Sequence, residues 1–162
     1  MRMKKVVMFL NAVILGSAVL IYSSCSDDDD KKSKTVLLTQ HSWKITKAEI
    51  KSAVGTFDVT SDYLEDCDKD DITTYSSDGT LSIAPGPNDC NGDAKTETGT
   101  WSWKENETIL SISIDGGITG NPKVEELTES IMKLNAGKIP YDANGDSVND
   151  SEVELIFTFT AN

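Results

Sequence analysis

The chain has 162 residues, with 15 Lys and Arg against 27 Asp and Glu, a formal net charge of -12 and a single histidine. Its sole arginine is Arg2, so a chain this acidic argues against nucleic acid, phosphate groups and bare anionic lipid as partners. The length suits one small domain able to bury a real core. At the start, Arg2, Lys4 and Lys5 precede an almost wholly apolar run over residues 6–21, and the small residues Ser23 and Ser24 follow. That order reads as a secretory signal. The run is short for the ~20 apolar residues of a spanning helix, and no basic cluster follows it.

Ser23-Ser24-Cys25 resembles the lipobox of bacterial lipoproteins, with Tyr22 where Leu is commonest. The resemblance implies cleavage after residue 24 and acylation of Cys25. One acyl chain binds a membrane only marginally, so several on one residue make a firm anchor. Cys25-Ser26-Asp27-Asp28-Asp29-Asp30 is also similar to the acidic export tag of surface lipoproteins in one group of Gram-negative bacteria. It implies an outer-membrane lipoprotein facing the cell exterior. The same run also reads as a solvated linker, and both readings can hold. The expected division is a signal peptide over 1–24, a lipidated tether over 25–34 and a domain over 35–162.

The remaining cysteines are Cys67 and Cys90. An even pair in an exported chain reads as a disulfide, with roughly 3 kcal/mol from loop closure. A metal or redox site is the alternative. There is no C-x-x-C, and with one histidine zinc spacing is absent.

Beyond the tether the pattern has period two, with turn signals between short runs. Residues 41–50 carry Trp43 and Ile45 on one face. Residues 72–77 and 80–84 flank Asp78-Gly79, a strong hairpin signal. Residues 96–104 put Trp101 and Trp103 on one face, and 108–114 align Leu110, Ile112 and Ile114. Val153, Leu155, Phe157 and Phe159 form the cleanest alternation. A short helical turn is expected near 62–65. Val124, Leu127, Ile131 and Leu134 have helical spacing after Asn121-Pro122. The competing reading is two strands, 123–127 and 131–135, turning at Thr128-Glu129-Ser130.

About eight strands with short turns point to an all-β, antiparallel, up-and-down eight-stranded barrel, which closes to remove its edges. The chain resembles the lipocalin-like domains of small bacterial surface lipoproteins. The resemblance rests on Ser42-Trp43-Lys44, Cys67-Asp68-Lys69-Asp70-Asp71-Ile72, Asp78-Gly79-Thr80, Cys90, Gly99-Thr100-Trp101, Glu126-Leu127-Thr128 and Phe157-Thr158-Phe159. On that resemblance the strand pair is preferred over a helix at 121–135.

Candidate chemistry is sparse. His41 has no second histidine to build a catalytic arrangement with, and abundant carboxylates carry no signal, so no enzyme is expected. Trp43, Tyr75, Trp101, Trp103, Phe157 and Phe159 could line a pocket or fill the core. Asp142, Asn144, Asp146 and Asp150 fall at positions one, three, five and nine of a calcium-type loop, while Ser147 and Val153 replace its expected Gly and Glu. The expectation is a non-enzymatic module for a small apolar or amphipathic ligand. The alternative is a structural or protein-interaction subunit of a surface complex, with a filled barrel.

Overall fold

The computed structural model describes residues 32–88, 95–142 and 151–162. One compact unit runs over Lys32–Asn162, and both clusters of buried apolar side chains lie inside it. The leader, Cys25 and the acidic run of the tether lie outside the described residues.

Helix α1 (Lys34–Thr39) is followed by β1 (Ser42–Ser52), β2 (Gly55–Asp58), helix α2 (Thr60–Tyr63), β3 (Ile72–Tyr75) and β4 (Thr80–Ala84). Then come β5 (Glu97–Lys104), β6 (Ile109–Ile114), β7 (Ile118–Gly120), β8 (Lys123–Leu127), β9 (Ile131–Tyr141) and β10 (Ser151–Ala161). Starting at β1, the hydrogen-bonded order is β1, β3, β4, β5, β6, β8, β9, β10 and back to β1. Every pairing is antiparallel. This is a ring of eight strands with up-and-down connectivity. Strands β2 and β7 are extras, added as hairpin partners of β1 and β6.

The ring is uneven. Strands β9 and β10 pair from Ser151↔Tyr141 to Thr160↔Ile131, and β1 pairs with β10 over most of its length. The β1–β3 seam is only Ser42↔Thr74 and Trp43↔Thr73, because the far half of β1 turns to β2. The β6–β8 seam has one register pair, Ile109↔Lys123, supported by Leu110 N donating to Pro122 O and Val124 N to Thr108 O.

Bulges reset the period-two pattern. In β1 the register shifts between Ile45 and Lys47, so Ile45 faces Phe159 while Ala48 faces Phe157. In β8 it shifts between Val124 and Glu126, which turns Val124 and Leu127 to the same side despite their spacing. That spacing imitates a helix in the sequence. The chain instead makes two strands whose turn is held by Thr128: its N–H donates to Ile131 O, and its Oγ1 accepts from Ile131 N at 2.9 Å.

The Asp78-Gly79 turn is one residue longer than the strand boundaries 72–77 and 80–84 imply. Ser76 N donates to Thr80 O across a three-residue loop, and Gly79 takes the left-handed position at φ 86°. Gly99 answers a different need. A Cβ there would lie 2.2 Å from the Ser113 carbonyl oxygen across the β5–β6 pair. The expected helical turn near 62–65 forms two residues earlier, as α2.

Helix α1 seals one end of the barrel. Its side chain Leu38 is fully buried, and the Trp43 indole donates from Nε1 to Leu38 O at 2.9 Å. Trp103 Nε1 donates to Thr35 Oγ1 at 3.0 Å, and Lys34 Nζ donates to Glu107 O at 2.7 Å. A six-residue helix is far too short to stand alone, so these contacts hold it. The core at this end joins Leu38, Trp43, Trp101, Leu110 and Met132. A second cluster, with Ala48, Ile50, Val59, Leu64, Val153 and Leu155, lies along β1 and β10.

Candidate functional site

Between the two clusters the barrel interior stays open, with a cavity of about 380 Å³. Its floor is Tyr75 and Leu81, both buried. Ile45, Phe157 and Phe159 form the wall from β1 and β10, with Ile112 and Ile114 opposite on β6. Tyr63, Asp68, Asp71 and Thr73 supply the polar atoms. Tyr63 is 42% exposed and stands edge-on to Phe157, ring centroids 6.5 Å apart. Burial pushes the Tyr75 phenol above its usual range, so the ring carries no charge at neutral pH.

The six aromatic residues singled out in the sequence therefore separate. Tyr75, Phe157 and Phe159 line the cavity. Trp43 is spent on α1 and is fully buried. Trp101 stacks edge-on with Tyr75 at 5.9 Å and with Trp103 at 6.0 Å, and its Nε1 donates to Ser76 O. Trp101 thus stands behind Tyr75, one side chain removed from the space itself, and Trp103 stands behind Trp101. Sequence reasoning missed Tyr63, Asp68 and Asp71. They sit in the stretch between β2 and β3, where no periodicity marks a facing direction.

Both carboxylates at the mouth are fixed by backbone. Asp68 Oδ2 accepts from Glu65 N at 2.8 Å, and Asp71 Oδ1 accepts from Gly86 N at 3.0 Å. The neighbouring Lys69 is turned to Asp66, Nζ to Oδ1 at 3.0 Å. Asn88 N donates to Asp70 Oδ2 at 2.9 Å. The chain approaching Cys90 thus folds back on the chain that follows Cys67. Cys67 Sγ lies 3.7 Å from Glu65 Oε2, and Cys90 lies outside the described residues.

Residues 39–134 match the family model for the lipocalin-like domain. The chain belongs to the lipocalin-like domain family. The match takes in the barrel from the end of α1 into β9, which includes every cavity residue except Phe157 and Phe159. No curated protein matches the chain. A lipocalin-like barrel is a fold for holding a small ligand, and the cavity is where this one has room.

Of the calcium-type loop, Asp142 follows directly on β9, and Asn144, Asp146 and Asp150 lie outside the described residues. Among the described residues no group of His, Cys, Asp and Glu is arranged to hold a metal ion. A second groove of about 460 Å³, more enclosed than the first cavity, lies between the β1–β2 hairpin and the β9–β10 pair. It carries Val54, 85% exposed, and Phe57, 49% exposed.

Proposed function

We propose that this chain is a surface lipoprotein, anchored through acylated Cys25, whose barrel captures a small apolar or amphipathic molecule without catalysing a reaction. The observation that carries the reading is the apolar cavity floored by Tyr75 and Leu81 and walled by Ile45, Phe157 and Phe159. Its volume lies at the low end of the ~300–1,000 Å³ usual for ligand pockets. At about 30 Å³ per non-hydrogen atom, the scale of liquid water, it takes roughly a dozen atoms. A single medium-length alkyl chain fits that space.

The Cys67–Cys90 disulfide belongs to the same proposal. It is supported by two hydrogen bonds, from Gly86 N to the Asp71 carboxylate and from Asn88 N to the Asp70 carboxylate, that draw the two segments together. The bridge would fasten the acidic rim of the cavity to the loop after β4.

Titration of the soluble chain from Ser26 onward with 1-decanol tests the capture. One equivalent should bind, with a change in the near-ultraviolet signal of Tyr75 and Trp101. No binding would contradict it. Anchoring is tested by Cys25→Ala, which should move the protein from the membrane fraction to the soluble one. Neutral replacements of Asp27 to Asp30 should abolish cleavage by external protease. A Cys25→Ala protein that stays on membranes would sink the lipid anchor, and undiminished surface cleavage would sink the export tag.

The alternative, a subunit acting through its outer surface, is supported by the exposed Val54 and Phe57. It becomes the better reading if decanol does not bind.

A further inference from the structure

We infer that the cavity selects an alkyl chain with a cationic head, an alkylammonium or a similar amine, and discriminates against the carboxylate of a fatty acid. The inference rests on the capture reading above and adds the head group to it.

Two features of the same mouth carry it. The first is charge. Among the described residues, the ionisable side chains lining the cavity are Asp68 and Asp71, with the phenols Tyr63 and Tyr75, and no lysine or histidine is among them. Each carboxylate uses one oxygen to hold a backbone N–H, Glu65 for Asp68 and Gly86 for Asp71. A carboxylate has lone pairs left on both oxygens. Lys69 is engaged by Asp66. An anionic head at this mouth meets like charge without a partner, whereas a cationic head meets two fixed acceptors.

The second feature is the rings. Tyr63 and Phe157, in edge-on contact, line the same space as the two carboxylates, and aromatic rings attract an ammonium that has left water. An apolar wall alone would take any chain. Carboxylates and aromatic rings together favour one sign of head.

The test compares three probes of one chain length, decylammonium, 1-decanol and decanoate, by isothermal titration of the soluble chain from Ser26 onward at low ionic strength. Decylammonium should bind roughly tenfold or more tighter than decanol, with decanoate weakest, and added salt should narrow the gap. Decanol should displace decylammonium, which separates the cavity from loose attraction to an acidic surface. In the double variant Asp68→Asn and Asp71→Asn the amide oxygens can still accept from Glu65 N and Gly86 N, so the rim keeps its shape. The preference for decylammonium over decanol should then fall to within about threefold, whatever the change in decanol affinity itself.

Decanoate binding as tightly as decylammonium would overturn the inference and leave capture standing. So would an undiminished cation preference in the double variant, or failure of decanol to compete. If decanol and decylammonium both fail to bind, the capture reading itself falls.

Discussion

At the scale of single residues, the mouth and turns of the barrel are built by short carboxylates that bond to nearby backbone. Asp78 is the clearest case. Its Oδ1 accepts from Thr80 Oγ1 at 2.7 Å and from Thr80 N at 2.9 Å, just where Gly79 turns the chain into β4. Those bonds hold its carboxyl below the ordinary 3.8. Asp58 is lowered in the same way by Thr60, at the start of α2. A carboxyl lowered in the folded state stabilises the fold above its unfolded value, and that contribution disappears as pH falls through the folded one. Asp78→Asn keeps an acceptor oxygen and removes the charge. Its melting temperature should therefore lie below the parent's at neutral pH, and the gap should close as pH drops below about 4. A gap that is the same at pH 3 and pH 7 would mean the charge on Asp78 does nothing for the turn.

Elements rather than residues decide which aromatic rings see the cavity. Helix α1 draws Trp43 and Trp103 to itself by indole N–H bonds, to Leu38 O and Thr35 Oγ1. Trp43→Phe leaves the Leu38 carbonyl buried without that donor, which costs about 1–3 kcal/mol. Trp103→Phe loses a bond at a half-buried site, about 0.5–1.5 kcal/mol. In Trp43→Phe, amide exchange over 34–40 should quicken while β9 and β10 stay protected; equal loss of protection across the barrel would show that α1 is no separate seal. The same scale explains what the sequence displayed and what it hid. Alternation in β10 and the Asp78-Gly79 turn were legible, because each is a local pattern with one mechanical reading. Val124, Leu127, Ile131 and Leu134 were ambiguous, because a bulge near Glu125 gives a strand helical spacing. Helix α1 left no signal. Six residues with threonine at both Thr35 and Thr39 have no amphipathic period, and their docking depends on partners far along the chain, as Thr35 to Trp103 and Lys34 to Glu107 illustrate. Strand β9 runs on to Tyr141 through Gly137 and Pro140. Beyond Asn135 its partner among the described residues is β10 alone, and an edge position tolerates proline.

For the whole molecule, the eight-strand ring follows from counting runs and turns, and the family match supports it. Whether a small barrel is filled or open is not a property of any one strand. Here it depends on where the tryptophans go. Two brace α1 and the third backs Tyr75, so isoleucine and phenylalanine are left to wall the remaining space. The acidic mouth was illegible for a related reason. In a chain with 27 Asp and Glu, nothing local distinguishes the two that meet the cavity. The measurement that tests capture most directly is a native mass spectrum of the soluble chain from Ser26 onward, purified without reductant from an exporting host. The account predicts an adduct of about 150–250 Da, roughly a dozen non-hydrogen atoms, that leaves on denaturation and exposes a chain two hydrogens light from the Cys67–Cys90 bond. A bare mass that stays bare after incubation with decylammonium and decanol would contradict it.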